Sequence, residues 1–298
     1  GQLPDYLPVA ISIYDKDQGK RETFNVEVIT DPSLMISLIL SSAYQGVDAA
    51  LDRVGAGTSY VRLKFDSPDI PYPMIRENLF YSDSDIAVWS LTDLMDGLEI
   101  LANNNLQEIE LSNVEVEMEI VQERRTASIE KAVPRLTTVV PGDSLEIEVT
   151  IRPYRQEPEQ RILRIDIPED TMPGLLTVTV RSGASGYYFT KPPVHIPIST
   201  EDGGDEEVPH TVATGAESLD KLITDFMDRE KNNEIVAEFY PFIDSFASAA
   251  RAQTDNGEDE GTPADSSEVP SVHAFSWADS ASEVQSVRLT TQYVMEGM

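Results

Sequence analysis

Val114-Glu115-Val116-Glu117-Met118-Glu119-Ile120 alternates apolar and acidic side chains without a break. A period of two puts the apolar set on one face of a strand and the glutamates on the other, so this stretch reads as half-buried β structure with a charged outer face. The same design returns at Leu145, Ile147, Val149 and Ile151, set against Glu146, Glu148, Thr150 and Arg152. Further strands centre on Ile129, Ile165, Val178 and Ile196. Pro141-Gly142 and Pro173-Gly174 punctuate them in the Pro-then-Gly order of type II turns. Short strands with regular turn signals and no helical period between them predict an antiparallel, immunoglobulin-like β-sandwich over 107–200.

Upstream the pattern is mixed. Val9, Ile11 and Ile13 alternate with polar or small partners, Asp15-Lys16-Asp17-Gln18-Gly19 turns the chain, and Phe24, Val26 and Val28 return. Asp31-Pro32-Ser33 opens a helix whose Leu34, Leu38, Val47 and Leu51 are expected to be buried. Tyr60 to Phe65 reads as a strand. Asp83-Ser84-Asp85 caps a second helix carrying Ile86, Trp89, Leu94, Leu98 and Leu101. Residues 1–106 therefore form a mixed α/β module, and the fold class is α+β. An acidic linker (201–215), a helix–strand extension (216–245) with Ser218 as cap, and an acidic, partly disordered tail (246–298) complete the expected order.

Charge narrows the function. The 298 residues hold 53 Asp plus Glu against 22 Lys plus Arg, for a net charge of −31. A surface so acidic repels a phosphate backbone, which excludes nucleic acid as a partner. No apolar run is long enough to span a bilayer. With no cysteine, disulfides, thiolate catalysis, Cys-type zinc sites and iron–sulfur clusters are excluded. The 15 Arg and 7 Lys beside so many acids suit a protein kept hydrated in high salt. The chain begins at Gly1 and reads as a fragment or a processed product.

Few residues carry a chemical signature. His195, His210 and His273 are far apart in sequence and match no metal-ligand spacing. No G-x-S-x-G elbow or phosphate loop occurs. Asp15-x-Asp17-x-Gly19 resembles the front of a calcium loop without the distal bidentate Glu, so Asp15 and Asp17 are the calcium candidates, an exposed polar turn being the simpler reading. Asp83 and Asp85 read as cap residues before ligands. Tyr187, Tyr188 and Phe189, followed by Lys191-Pro192-Pro193, are the candidate partner-binding patch, with alternate rings in a core as the other reading.

Taken together, Arg124-Arg125-Thr126-Ala127-Ser128-Ile129, Val140-Pro141-Gly142-Asp143, Ile151-Arg152-Pro153-Tyr154-Arg155, Ile167-Pro168 and Pro173-Gly174 resemble the region behind the catalytic part of bacterial SpoIVB-type serine peptidase proteins. Gly55-Ala56-Gly57-Thr58, Asn78-Leu79-Phe80 and the run from Ser218 to Glu234 fit the same arrangement, so the resemblance covers about residues 1–245. It implies an extracytoplasmic protein with a linked peptidase domain upstream, and a non-catalytic accessory region that binds a protein or cell-envelope partner. The glycine-rich Ser and His setting of that family has no counterpart here, so no catalytic residue carries over and no cofactor is implied. A carboxylate- or calcium-dependent enzyme acting on glycans and a structural envelope protein stand as alternatives.

Overall fold

The structure is a computed structural model that describes residues 5–51, 55–184, 218–239 and 285–296. It is an α+β chain, mostly strands, with three sheets and few helices. The first hairpin pairs β1 (Tyr6–Asp15) with β2 (Lys20–Ile29). Its turn closes where Gly19 takes φ +67°, a left-handed conformation that glycine adopts without a Cβ clash. Leu7, Val9, Ile11 and Ile13 are buried, as alternation requires.

After the hairpin come α1 (Met35–Leu51), β3 (Gly57–Asp66), β4 (Met74–Ser82), α2 (Ile86–Ser90), α3 (Thr92–Ala102) and β5 (Asn113–Val121). The five strands form one sheet in the order β2-β1-β5-β3-β4. The expectation that β5 opens the sandwich is corrected here: it is the central strand, parallel to β1 and antiparallel to β3. Its apolar face meets the helices, and a charged lattice covers the other face. There Lys16 pairs with Glu119, Arg62 lies near Glu77 and Glu117, and Lys64 bridges Asp66 and Glu115.

Two helix readings change. Leu34 and Leu38 remain 46% and 39% exposed, because Met35, Ile39, Ala43 and Val47 at strict i+4 spacing form the buried stripe. The second helix is two segments, with Asp85 Oδ1 accepting the Ala87 N–H as the predicted cap. In α3, a Cβ on Gly97 would sit 2.7 Å from the ring of Phe65, so the close approach of helix to sheet depends on that glycine. Helix α4 (Leu219–Met227), capped by Ser218, adds Leu222, Ile223 and Phe226 to this same core.

β4 was not legible as a strand because its polarity is inverted. Arg76, Asn78 and Ser82 point inward, while Ile75, Leu79 and Tyr81 are only half-buried. Arg76 Nε donates to Asp93 Oδ2 at 2.9 Å, and Asn78 Nδ2 donates to the same oxygen at 2.9 Å. The remaining guanidinium nitrogens donate to the carbonyls of Arg229 and Glu230, and the Asn232 N–H donates to Asn78 Oδ1. Nearby, Arg229 donates to the buried Asp96 at 2.7 Å.

A second core lies between two further sheets. One has the order β12-β6-β7-β8, from β6 (Thr126–Pro134), β7 (Ser144–Pro153), β8 (Glu159–Asp166) and β12 (Val294–Glu296). The other has the order β11-β10-β9, from β9 (Val178–Ser182), β10 (Glu234–Phe239) and β11 (Gln285–Thr290). Ile129, Ile147, Ile151 and Leu163 from the first sheet pack with Ile235, Ala237 and Phe239 from the second. The expected strands β6, β7 and β8 thus share an apolar core with β9 and β10, but the arrangement is not purely antiparallel: β12 runs parallel to β6. Nor are the later segments appendages. The strand expected at Ile235 to Phe239 is the centre of the three-stranded sheet, and the tail, expected to be only partly disordered, supplies β11 and β12 from its alternating stretch near Val284 to Val294. The linker at 201–215 and the strand centred on Ile196 lie outside the described residues.

Replacing Asp93 with Ala leaves the Arg76 guanidinium buried and without its carboxylate, an arrangement that costs about 3–5 kcal/mol. Asp93→Ala is expected to lower the urea midpoint accordingly, and the double variant R76M/D93L to lose much less. A second expectation concerns Tyr60 on the charged face, whose hydroxyl is pushed up to about 12 by burial first and by Glu77 next. Because this lies above the ordinary tyrosine value of about 10, the stabilisation is whole below pH 10 and fades as pH rises through about 12. Tyr60→Phe should remove one late-ionising phenol from the alkaline absorbance titration.

Candidate functional site

The second core is open at one end. β12 pairs only with Thr126–Ser128 of β6, so the rest of β6 runs on with that edge uncovered among the described residues. A register irregularity between Ile129 and Lys131 bends the strand there. Beyond it Ala132, Val133 and Pro134 are exposed. Facing them across the gap is β9, the edge strand of the smaller sheet. Between the two strands lies a cleft of about 730 Å³. Ala132, Leu145, Ile147, Val178 and Val180 line its floor and walls.

Two loops form its mouth. Leu136 and Val140 in the first are 60% and 62% exposed, and Leu175 in the second is 90% exposed. Leu136 and Leu175 line the opening itself, so these exposed apolar side chains are gathered rather than scattered. The first loop ends in the predicted type II turn: Gly142 has φ +90°, and the Asp143 N–H reaches the Val140 carbonyl at 3.0 Å. Gly174 lacks the positive φ of such a turn, so the matching prediction at Pro173-Gly174 fails. The two loops are stitched together by Gly142 N–H to Ile167 O and Ile167 N–H to Asp143 O, both 2.9 Å. This brings the exposed Asp143, Glu169 and Asp170 to one rim, with Glu169 packed beside Gly142. Thr171 Oγ1 is buried in the cleft lining and has no hydrogen-bond partner among the described residues.

The calcium candidates Asp15 and Asp17 lie elsewhere, in the first hairpin. Asp15 is buried, and its Oδ1 accepts the N–H groups of Asp17 and Gln18 at 2.9 and 3.1 Å. Asp17 Oδ2 accepts the Gln122 N–H at 2.8 Å, which ties the hairpin turn to the end of β5. Both calcium candidates thus serve backbone amides in a turn, and no group of three or more His, Asp or Glu side chains gathers in a metal-holding arrangement among the described residues. Tyr187, Tyr188 and Phe189 lie outside the described residues, as do His195, His210 and His273. No helix among the described residues is long and apolar enough to cross a membrane.

Several motif residues that carry the peptidase-region resemblance meet at the junction of the two cores. The Arg124 guanidinium lies 5.0 Å from the centre of the Tyr81 ring and 4.1 Å from that of Tyr154, within cation–π range of both. It also bonds Glu296 of β12 and donates to Thr126 Oγ1 at 3.0 Å. Thr58 Oγ1 donates to the Glu123 carbonyl and accepts the Arg125 N–H, so β3 grips the chain as it passes from the first core to the second. No family model, curated protein or solved structure matches the chain.

The cleft was not legible in the sequence because Leu145, Ile147, Val178 and Val180 read as ordinary strand core, and no local pattern shows that the space between them stays open at the loop end. The signal that could have found it is the set Leu136, Met172 and Leu175, large apolar residues placed among turn formers. Because a buried hydroxyl without a partner costs about 1–3 kcal/mol, Thr171→Val is expected to raise stability by about 1 kcal/mol. Urea denaturation monitored by tryptophan fluorescence checks this.

Proposed function

We propose that this chain is the non-catalytic binding region of an extracytoplasmic SpoIVB-type serine peptidase protein, and that it holds a protein partner so as to position the linked peptidase. The observation that carries the reading is the open apolar cleft between β6 and β9. A monomeric surface rarely keeps Leu136, Met172 and Leu175 in water around one opening without a partner to cover them. The peptidase relationship rests on the resemblance of the sequence stretches around Arg124, Tyr154 and Asn78, residues that join the two cores. The chain's acidity supports an exported protein working in a saline medium.

An environment-sensitive anilinonaphthalene dye should bind the native protein, and a permanently unfolded polypeptide such as carboxymethylated lactalbumin should displace it. Ala132→Glu is expected to weaken both by at least tenfold, since it puts a charged side chain at an exposed position of the lining, where an apolar ligand would have to displace its hydration. Native dye binding that Ala132→Glu leaves unchanged would place the apolar site elsewhere. Turnover of a protein substrate by this chain alone, abolished by one Ser→Ala change, would show the region to be catalytic and end the proposal.

A further inference from the structure

We infer that the cleft takes an extended segment of a partner protein, with apolar side chains at alternate positions and a Lys or Arg at the end lying on the Asp143, Glu169 and Asp170 rim. This rests on the binding reading above and specifies its ligand. Three observations carry it.

The cleft is flanked by backbone as well as side chains. β9 is bonded to β10 on one side only, and β6 beyond Ser128 has left the reach of β12, so two strand edges border the opening among the described residues. Unpaired N–H and C=O groups along a strand edge are a template for one more strand, and an added segment presents every second side chain to a face. Here that face is Ala132, Leu145, Ile147, Val178 and Val180, all of which receive aliphatic groups.

The unpaired edges separate a strand from a helix. A helix has its backbone amides and carbonyls bonded within itself and offers a groove only side chains. Extended chain can bond the edge groups of β6 and β9 and still place its alternate side chains inside.

Charge fixes the partner's sign. Asp143, Glu169 and Asp170 are exposed, and among the described residues none of their carboxylates enters an ion pair. Arg135, the cation beside Leu136, is already held by Glu146 at 2.9 Å with Glu148 near, so it does not neutralise the rim. A cationic end is therefore favoured at the loop end of the cleft and an anionic one repelled, an effect that governs encounter rate and register and weakens with salt.

The test uses the whole chain and fluorescein-labelled hexapeptides, read by polarisation: Val-Thr-Val-Thr-Val-Lys, the same peptide ending in Glu, and the Lys peptide with alternate backbone nitrogens methylated. The Lys peptide is expected to bind about tenfold more tightly than the Glu peptide in low salt, with the gap closing in 0.5 M salt. N-methylation is expected to lose at least another tenfold by removing the edge hydrogen bonds. The triple variant D143K/E169K/D170K, altered only at exposed rim positions, should reverse the charge preference at unchanged urea midpoint. Equal binding of all three peptides overturns the inference and leaves the apolar cleft in place as a less selective site, whereas loss of dye binding as well removes the function on which it rests. A photo-crosslinker at Thr177 should label the Lys peptide; crosslinks instead to residues 186–198 of the same chain or to a second copy also overturn it.

Discussion

A guanidinium placed inside an apolar core needs a carboxylate and several carbonyls around it, and around Arg76 those groups come from two distant parts of the chain. Asp93 from α3 supplies the charge, while residues 229–232 behind α4 supply backbone oxygens and an N–H for Asn78. A hydrophobic replacement of equal volume could serve stability as well, because desolvation consumes most of what such a pair returns. What an apolar core could not do is specify which segment lands there. The directed donors of Arg76 accept one arrangement of the 229–232 backbone, and that arrangement aims the chain into β10. Since β10 is the middle strand of the three-stranded sheet, the second core takes its position from a polar cluster buried in the first.

Secondary structure was readable where burial follows a simple period. The hairpin of β1 and β2, the caps at Asp85 and Ser218, and the strands β6, β7 and β8 all sit where alternation or capping chemistry puts them. Strand partnership was not readable. Val114 to Ile120 carries the same alternation as Leu145 to Ile151, yet one is the centre of the first sheet and the other belongs to the second core. Period two reports which face is apolar and says nothing about which strand lies alongside. β4 escaped notice for the opposite reason, since its inward positions include Arg76 and Asn78, and a pattern search expects those outside.

Functional residues were harder still. Asp15 and Asp17 could be read as a polar turn or as weak calcium candidates, because acidic residues spaced by two serve turns and metals alike; in the structure their oxygens accept amides of the hairpin and of Gln122. The cleft between β6 and β9 arises from a length mismatch, three residues of β12 against nine of β6. No local pattern encodes that difference, because it is settled by where a strand from the far end of the chain stops.

The three-stranded sheet joins segments that end at Ser182, begin at Glu234 and resume at Gln285, and β12 then closes against β6. Such pairings carry a large entropic toll for loop closure and form slowly. On a ribosome, the first sheet and its helices can collapse while β6, β7 and β8 wait with one apolar face wet. Nascent chains stalled between residues 240 and 284 should therefore be the forms most prone to capture by chaperones or to clumping, a hazard that ends only with the arrival of the final strands.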